Sequence, residues 1–446
     1  MKSYFSLFFL LILFLCDPLP SFGQIQLQGF VRNYNAVLLE PEHEIITGRN
    51  RLRIDIGRSF SQGELSVSND ITNLYSAAAD SFGYRLREAY VDLYFPKADL
   101  RIGKQIISWG RAEGTFITDI LTPVDLTDFL TQEFADLRLG ISAFKYTRYF
   151  GSNYLQLVVN PVFNANKIPE FNSRWFPTLP ISTTLDVNIL DADRQPNLKS
   201  VQLAGRYALR SNLNYDLDLG LMYWHYPTPR YAKELQFQLL EGASLNLRET
   251  YTQSVIGTYS GSFQLTDRLL LTSESAYYQR RSFDYVDPQL REVDLQNPDL
   301  GQILQIAQIF NQNEDGFLKE RPWLISMLGL QYGLGGWTLN AQFINEHIFN
   351  YDDTILQEQN FYYTTLSVRR SFLRDQLQFS AFGRYNFRGS DFWVNPELTY
   401  TGIDAFEATI GTHLFGGSAV GTYYGHTSFA TYGENNFAYL RVSAYF

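Results

Sequence analysis

Among the residues in this chain that could do chemistry the arginines stand out, because many fall at alternate positions. Arg51 and Arg53, Arg101 followed by Gln105, Arg138, Arg206, Arg384 with Arg388, and Arg441 lie in segments that alternate polar with apolar residues. Between Arg101 and Arg138, the segment Arg111–Ala135 reads as a loop that carries Asp119, Asp125 and Asp128. Fixed guanidinium and carboxylate groups facing each other across a wet space sort ions by sign and transform nothing. Asp55, Glu88, Asp92, Asp216, Asp218, Glu274 and Glu407 share the parity of the arginines. The set is therefore mixed, which argues against a passage of one sign. Lys104 and Lys145 fall on the opposite parity, so a bulge is needed to turn either inward.

Catalytic chemistry finds little support. The histidines are His43, His225, His347, His413 and His426, and no two are spaced for one metal. His413 precedes Gly416-Gly417-Ser418, but no nucleophile motif surrounds that serine, and Gly-Gly-Ser is ordinary loop material. The single cysteine, Cys16, excludes a disulfide scaffold and any zinc site with several cysteine ligands. The reading is non-enzymatic, with no cofactor and no metal.

The elements that must position these charges are strands. Leu213, Tyr215, Leu217, Leu219, Leu221 and Tyr223 share one face, and Asn214, Asp216, Asp218, Gly220 and Met222 the other. The segments Val201–Leu209 and Leu377–Phe387 alternate in the same way. Short turns fall near Ser59–Gly63, Pro96–Asp99, Gly151–Asn153, Ser211–Asn212, Leu265–Asp267, Leu334–Gly336, Arg374–Gln376 and Gly402–Asp404. Longer segments lie between them: Thr72–Arg85, Arg111–Ala135, Pro161–Pro196, Pro227–Asn246 and Tyr285–Glu320. Strict alternation of short and long connections is expected of an antiparallel up-and-down barrel in an outer membrane, with tight periplasmic turns and long extracellular loops. Counting gives about 18 strands, or about 16 if Gln62–Ile71 and Phe392–Thr401 are not strands. Both termini then face the periplasm.

Composition fits this class. The 446 residues carry 36 Lys and Arg against 46 Asp and Glu, a net charge of −10 with no long basic run, which excludes nucleic acid as a partner. Aromatics reach 16%, with 35 Phe and 30 Tyr, more than one core needs but natural for the two girdles of a barrel in lipid. Phe95, Tyr149, Phe150, Phe263, Trp337, Phe372 and Tyr400 flank the short turns, and Trp224, Tyr226, Tyr277, Tyr278 and Phe349 lie near the outer ends. Lys2, the apolar run Tyr4–Leu15 and Ser21-Phe22-Gly23 read as a secretory signal peptide over residues 1–23, with the barrel over 24–446. Leu15 stands before Cys16 where lipoprotein signals carry a small residue, which disfavours lipidation there. The first strand begins around Ile25, leaving no room for an N-terminal plug. Ala438, Leu440, Val442, Ala444 and Phe446 alternate to the chain end, a terminal pattern that resembles the one recognised by barrel-assembly machinery. In the Tyr285–Glu320 loop, Leu300, Ile303, Leu304, Ala307 and Phe310 mark a helical face that caps the pore, docks on the rim, holds a partner or packs on its own loop.

The run Arg101-Ile102-Gly103-Lys104-Gln105, followed by Trp109-Gly110-Arg111-Ala112-Glu113, carries a resemblance. It is similar to a strand found in outer-membrane porin-like barrels, including alginate-export-type channels and relatives from Bacteroidetes. The resemblance is strongest over Leu100–Asp128. It implies a monomeric barrel of about 18 strands through which small polar, anionic or sugar-like solutes diffuse. The mixed charge set departs from the wholly basic lumen that polyuronate export requires. On this reading Leu100–Trp109 is a strand, Val124–Leu130 forms one helical turn after Pro123, and the loop folds into the lumen. The constriction then comprises Arg51, Arg53, Arg101, Gln105, Asp119, Asp125, Asp128, Arg138, Arg206 and Arg384. A second class, a closed barrel that displays loops to bind a glycan or partner protein, places the opposite demand on the lumen: that it be filled.

Overall fold

The computed structural model describes residues 25–446 except 41–42, 76–79, 130, 171–172, 177–185, 193–199, 212–213, 239–241, 294–299 and 419–427. The expected signal peptide and His426 lie outside the described residues.

Eighteen antiparallel strands among the described residues form one closed sheet. The first seven are β1 (Ile25–Leu38), β2 (Ile45–Phe60), β3 (Gly63–Tyr75), β4 (Asp80–Phe95), β5 (Ala98–Gln105), β6 (Ile141–Phe150) and β7 (Asn153–Asn160). They continue as β9 (Gln202–Arg210), β10 (Tyr215–His225), β13 (Gln253–Thr266), β14 (Leu269–Asp284), β15 (Leu318–Leu334) and β16 (Trp337–Ile348). The circuit ends with β17 (Asn360–Phe372), β18 (Leu377–Asn386), β19 (Asp391–Ile403), β20 (Phe406–Gly417) and β21 (Phe437–Tyr445). Each pairs with the next, and β21 closes on β1 with Phe30 opposite Tyr445 and Leu38 opposite Phe437. The backbones of Gly29 and Phe446 exchange hydrogen bonds at 3.0 and 3.1 Å, so the last residue belongs to the seam.

The strands form because their side chains alternate, and the alternation is inverted relative to a soluble barrel. On β10, Leu219, Leu221 and Tyr223 point outward at 51, 64 and 42% exposure, while Asp218, Met222 and Trp224 point inward and are buried. On β16, Phe343 is exposed outside and Asn340, Gln342 and Glu346 are buried inside. An apolar exterior around a charged interior is stable only when lipid covers the outside.

Both weakly patterned segments are strands, β3 and β19, which settles the count at eighteen. Seven of the eight short connections fall where the sequence places them, Asn212 of the eighth lies outside the described residues, and one is built on three successive left-handed residues, Leu373, Arg374 and Asp375. One of the expected long loops is not a loop. The supposed loop Thr72–Arg85 is mostly ladder, paired as far as Tyr75 opposite Asp80. Its polar residues obscured the strand ends, which still carry exposed Phe82 and Tyr84. The loops after β7 and β10 contain a small second sheet of β8 (Asp186–Leu190), β11 (Arg230–Gln238) and β12 (Gly242–Thr250). The loop before β15 holds the expected helix, α1 (Leu300–Gln312). Its inner face is Ile306, Ile309 and Phe310, packed near Leu290 and Phe317 of the same loop, while Leu304 is exposed. Among the described residues no helix is long and apolar enough to cross a membrane.

Candidate functional site: a loop bound across the lumen

Residues 106–140 connect β5 to β6. Strand β5 stops at Gln105, and the chain turns into the lumen, so Ile106–Trp109 is not strand as expected. Gln105 is buried and its Nε2 donates to the Ala143 carbonyl at 2.8 Å. Glu88 accepts the Ile106 N–H at 2.7 Å. Trp109 is buried with its Nε1 donating to Gln156 at 2.7 Å. Asp119 folds the loop back by accepting the Trp109 N–H at 3.0 Å and pairing with Arg138. Burial pushes the Asp119 carboxyl up, against the downward pull of Arg138.

Glu274, on β14, holds the loop's far end. Its two oxygens accept the backbone N–H groups of Arg111, Ala112 and Thr118 at 2.8, 3.0 and 2.8 Å, and the Thr118 hydroxyl at 2.6 Å. Gly110 (φ 108°) permits this approach, since a Cβ there would lie 2.7 Å from a Glu274 oxygen. The loop then reaches β17: Ser367 donates to Glu113 at 2.7 Å, and Thr115 and Tyr363 share a hydrogen bond of 2.9 Å. Strand β17 lies nine places from β5 in the ring of eighteen, so the loop crosses a full diameter. Ile107, Ile117, Ile120 and Leu121 pack with Met222, Trp224, Tyr278 and Trp323 on one side of the lumen. Trp224, Tyr226 and Tyr278 therefore belong to this interior cluster and not to the outer girdle.

The returning leg lies against the opposite wall. Arg32 of β1, Arg51 and Arg53 of β2 and Arg87 of β4 converge on Asp136 at 3.0, 2.7, 2.9 and 3.5 Å. Asp136 sits in a short 3-10 turn, Phe134–Asp136, and is buried. Burial alone raises such a carboxyl, but Arg51, Arg53, Arg32 and Arg87 outweigh it and pull Asp136 down to about 2. Glu133 bridges Arg32 and Arg441 at 2.8 and 2.9 Å, and Asp128 meets Arg49 at 2.5 Å. Asp70 takes Arg53 and Arg85 at 2.7 and 2.9 Å. Segment 124–129 is not helical as expected. It starts extended, with Val124 bridged to Arg138 and Asp125 to Lys167, and turns over Thr127–Phe129, while Leu130 lies outside the described residues.

Of the expected set, Arg51 and Arg53 meet the loop directly. Asp125 caps Thr127 at 2.6 Å and stands 3.7 Å from Arg85 and 3.4 Å from Lys167. Gln105, Asp119 and Arg138 are spent on folding the loop. Arg101 is held apart by Asp92 at 2.8 and 2.6 Å. Arg206 lies over Trp109 at 4.8 Å, and Arg384 over Tyr363 at 3.8 Å on the far wall. Asp136, Glu133, Arg32, Arg49, Arg85, Arg87 and the anchoring role of Glu274 went unread. Arg49 and Arg32 were readable by parity; Arg85 and Arg87 were hidden by a register shift opposite Ser68/Asn69 that lets Arg85, Arg87 and Glu88 all bond into the lumen. Lys145 needs no bulge, because it sits directly opposite Arg101 in regular register while Phe144 and Tyr146 take the outward places. His413 stacks against Trp393 and Phe437 and accepts the Trp393 Nε1–H at 3.0 Å, so aromatic packing occupies it.

Two spaces flank the loop. One, about 550 Å³, lies between Glu113, Glu133 and the β17–β21 wall, with Arg369, Glu397 and Arg441 on it. The other, about 310 Å³, lies toward the short turns between β4 and β7.

The same architecture recurs in solved structures. OccAB2 of Acinetobacter baumannii superposes with a TM-score of 0.52 at 9% identity, covering 96% of this chain and 99% of that one. OpdK of Pseudomonas aeruginosa, solved with vanillate, gives 0.51 at 10% identity over 96% and 99%. OccAB3 of A. baumannii gives 0.50 at 8% over 95% and 99%. This chain has the fold of a closed, 18-strand transmembrane β-barrel. No protein-family model matches it, and no curated protein does.

Proposed function

We propose that this barrel is a passive channel for small polar solutes, with a preference for anions, narrowed by its inward loop. One observation carries the reading: residues 106–140 cross the lumen and are bonded to both walls, yet leave a space of about 550 Å³ beside them. Loop carboxylates neutralise much of the arginine wall, which argues for moderate selectivity and against polyuronate export. Arg51, Arg53, Asp125 and Asp128 act at the narrowing, and Arg101, Arg206 and Arg384 set the field on either side of it. The barrel works as a monomer in lipid, is delivered by a cleaved signal peptide, and is assembled through its Phe446 strand.

The test is single-channel recording of the purified protein in a planar bilayer under a salt gradient. Steady openings with an anion-directed reversal potential support the channel; a folded, heat-modifiable but silent barrel overturns it. The apolar cluster around Trp109 and Trp224, which fills one side of the lumen, favours the second reading, a closed barrel displaying loops to a glycan or partner protein. A silent barrel that binds such a ligand supports that alternative.

A further inference from the structure

Inside the barrel, on the short-turn side of the crossing loop, one space is lined by charged groups of which all but one have a partner. In the 310 Å³ space between β4 and β7 the charged lining groups are Asp92, Asp99, Arg101 and Lys145. Arg101 is gripped by both oxygens of Asp92 and rests on the Tyr90 ring at 3.8 Å. Asp99 accepts the Tyr149 hydroxyl at 2.6 Å. Lys145 has no hydrogen bond or ion pair among the described residues, although it stands directly opposite Arg101 on the lumen face. The carboxylates that act on it, Asp92 and Glu88, are held by Arg101 and by the Ile106 N–H, and a half-buried ammonium that no carboxylate contacts is stabilised by a bound anion. Beside it, the Thr147 hydroxyl accepts from Gln156 at 3.2 Å, leaving its own proton free to donate. Tyr149 and Tyr154 form a ring-lined side wall with centroids 6.3 Å apart.

We infer that this space is a distinct solute site in which Lys145 receives the carboxylate of a small hydroxylated monoanion. The ammonium and carboxylate form a charge-assisted hydrogen bond, Thr147 donates to a solute hydroxyl, and the tyrosine rings cover the solute's apolar face. The volume lies at the lower end of small-ligand sites, which restricts the solute to one ring or a short chain. Arg101, held by Asp92, positions the field without engaging the solute directly. The site deepens the channel reading and rests on it: solute leaving the narrowing meets this cation before the short-turn end.

The experiment is calorimetric titration of the detergent-solubilised full barrel with D-glucuronate, with D-glucose as the neutral counterpart, alongside bilayer recording. The wild type binds glucuronate and not glucose. Lys145→Gln weakens glucuronate binding about tenfold or more, in line with loss of a hydrogen bond to a charged group, and Lys145→Arg retains it within about threefold. Heat-modifiable mobility establishes that each variant is folded. Equal glucuronate binding by wild type and Lys145→Gln, or equal binding of glucose and glucuronate, overturns the site. Conduction with no dependence of binding on Lys145 sinks the site alone, whereas Lys145-dependent binding in a silent barrel sinks the channel reading alone.

Discussion

Replacing Asp136 with Asn should unlatch the returning leg of the loop. The carboxylate is the shared partner of Arg32, Arg51, Arg53 and Arg87, all within 3.5 Å, and its side chain is 4% exposed. Removing one member of a buried ion pair costs about 3–5 kcal/mol. Linkage gives a second figure. A carboxyl shifted from 3.8 to about 2 contributes about 2–3 kcal/mol. Either value moves a docked-to-undocked equilibrium by more than tenfold. Because the folded pKa is lowered, this stabilisation is complete above about pH 4 and disappears as pH falls toward 2. In bilayers Asp136→Asn should therefore raise conductance and anion preference at neutral pH and expose residues 131–137 to hydrogen exchange. Wild type should show the same change only between pH 4 and pH 2, and the variant should lack that transition. Wild-type conductance and exchange in Asp136→Asn, or an acid transition that survives the substitution, refutes the latch.

Two further outcomes are expected. Leu221→Arg places a cation on the outer face near the middle of β10 and should destabilise vesicle-folded barrel by ~2–4 kcal/mol, measured by urea-dependent folding into liposomes. A change under about 0.5 kcal/mol, the size of an ordinary surface substitution, contradicts a lipid-facing exterior. Glu274→Gln turns an amide nitrogen toward two of the four donors that its carboxylate accepts and should loosen the loop's far end, seen as excess open-channel noise and faster exchange at residues 110–118. Quiet, wild-type openings would remove Glu274 as the anchor.

The strands and turns were legible because lipid imposes period two on every spanning segment, and each short turn interrupts that period sharply. Arg51 and Arg53 were legible for the same reason. Asp136 was not, because a segment that lies across a lumen owes its conformation to both walls and keeps no period of its own. Trp109 extends the alternation of β5 in sequence, yet its partner is Gln156 of β7, two strands along the same wall. Arg85 and Arg87 fail for a different reason: one extra residue in β4 reverses the parity of what precedes it. Lys145 was misread although its strand is regular, because the outward places belong to its aromatic neighbours.

The diametric crossing also has a mechanical meaning. A thin-walled cylinder resists stretching along its hydrogen bonds far better than it resists flattening into an oval. By tying β5 and β14 to β17 on one leg, and β1, β2 and β4 on the other, the loop serves as an internal spoke. Cutting the chain between Glu113 and Asp136 should thus soften the whole rim, so that bore and stiffness are two readings of one tether.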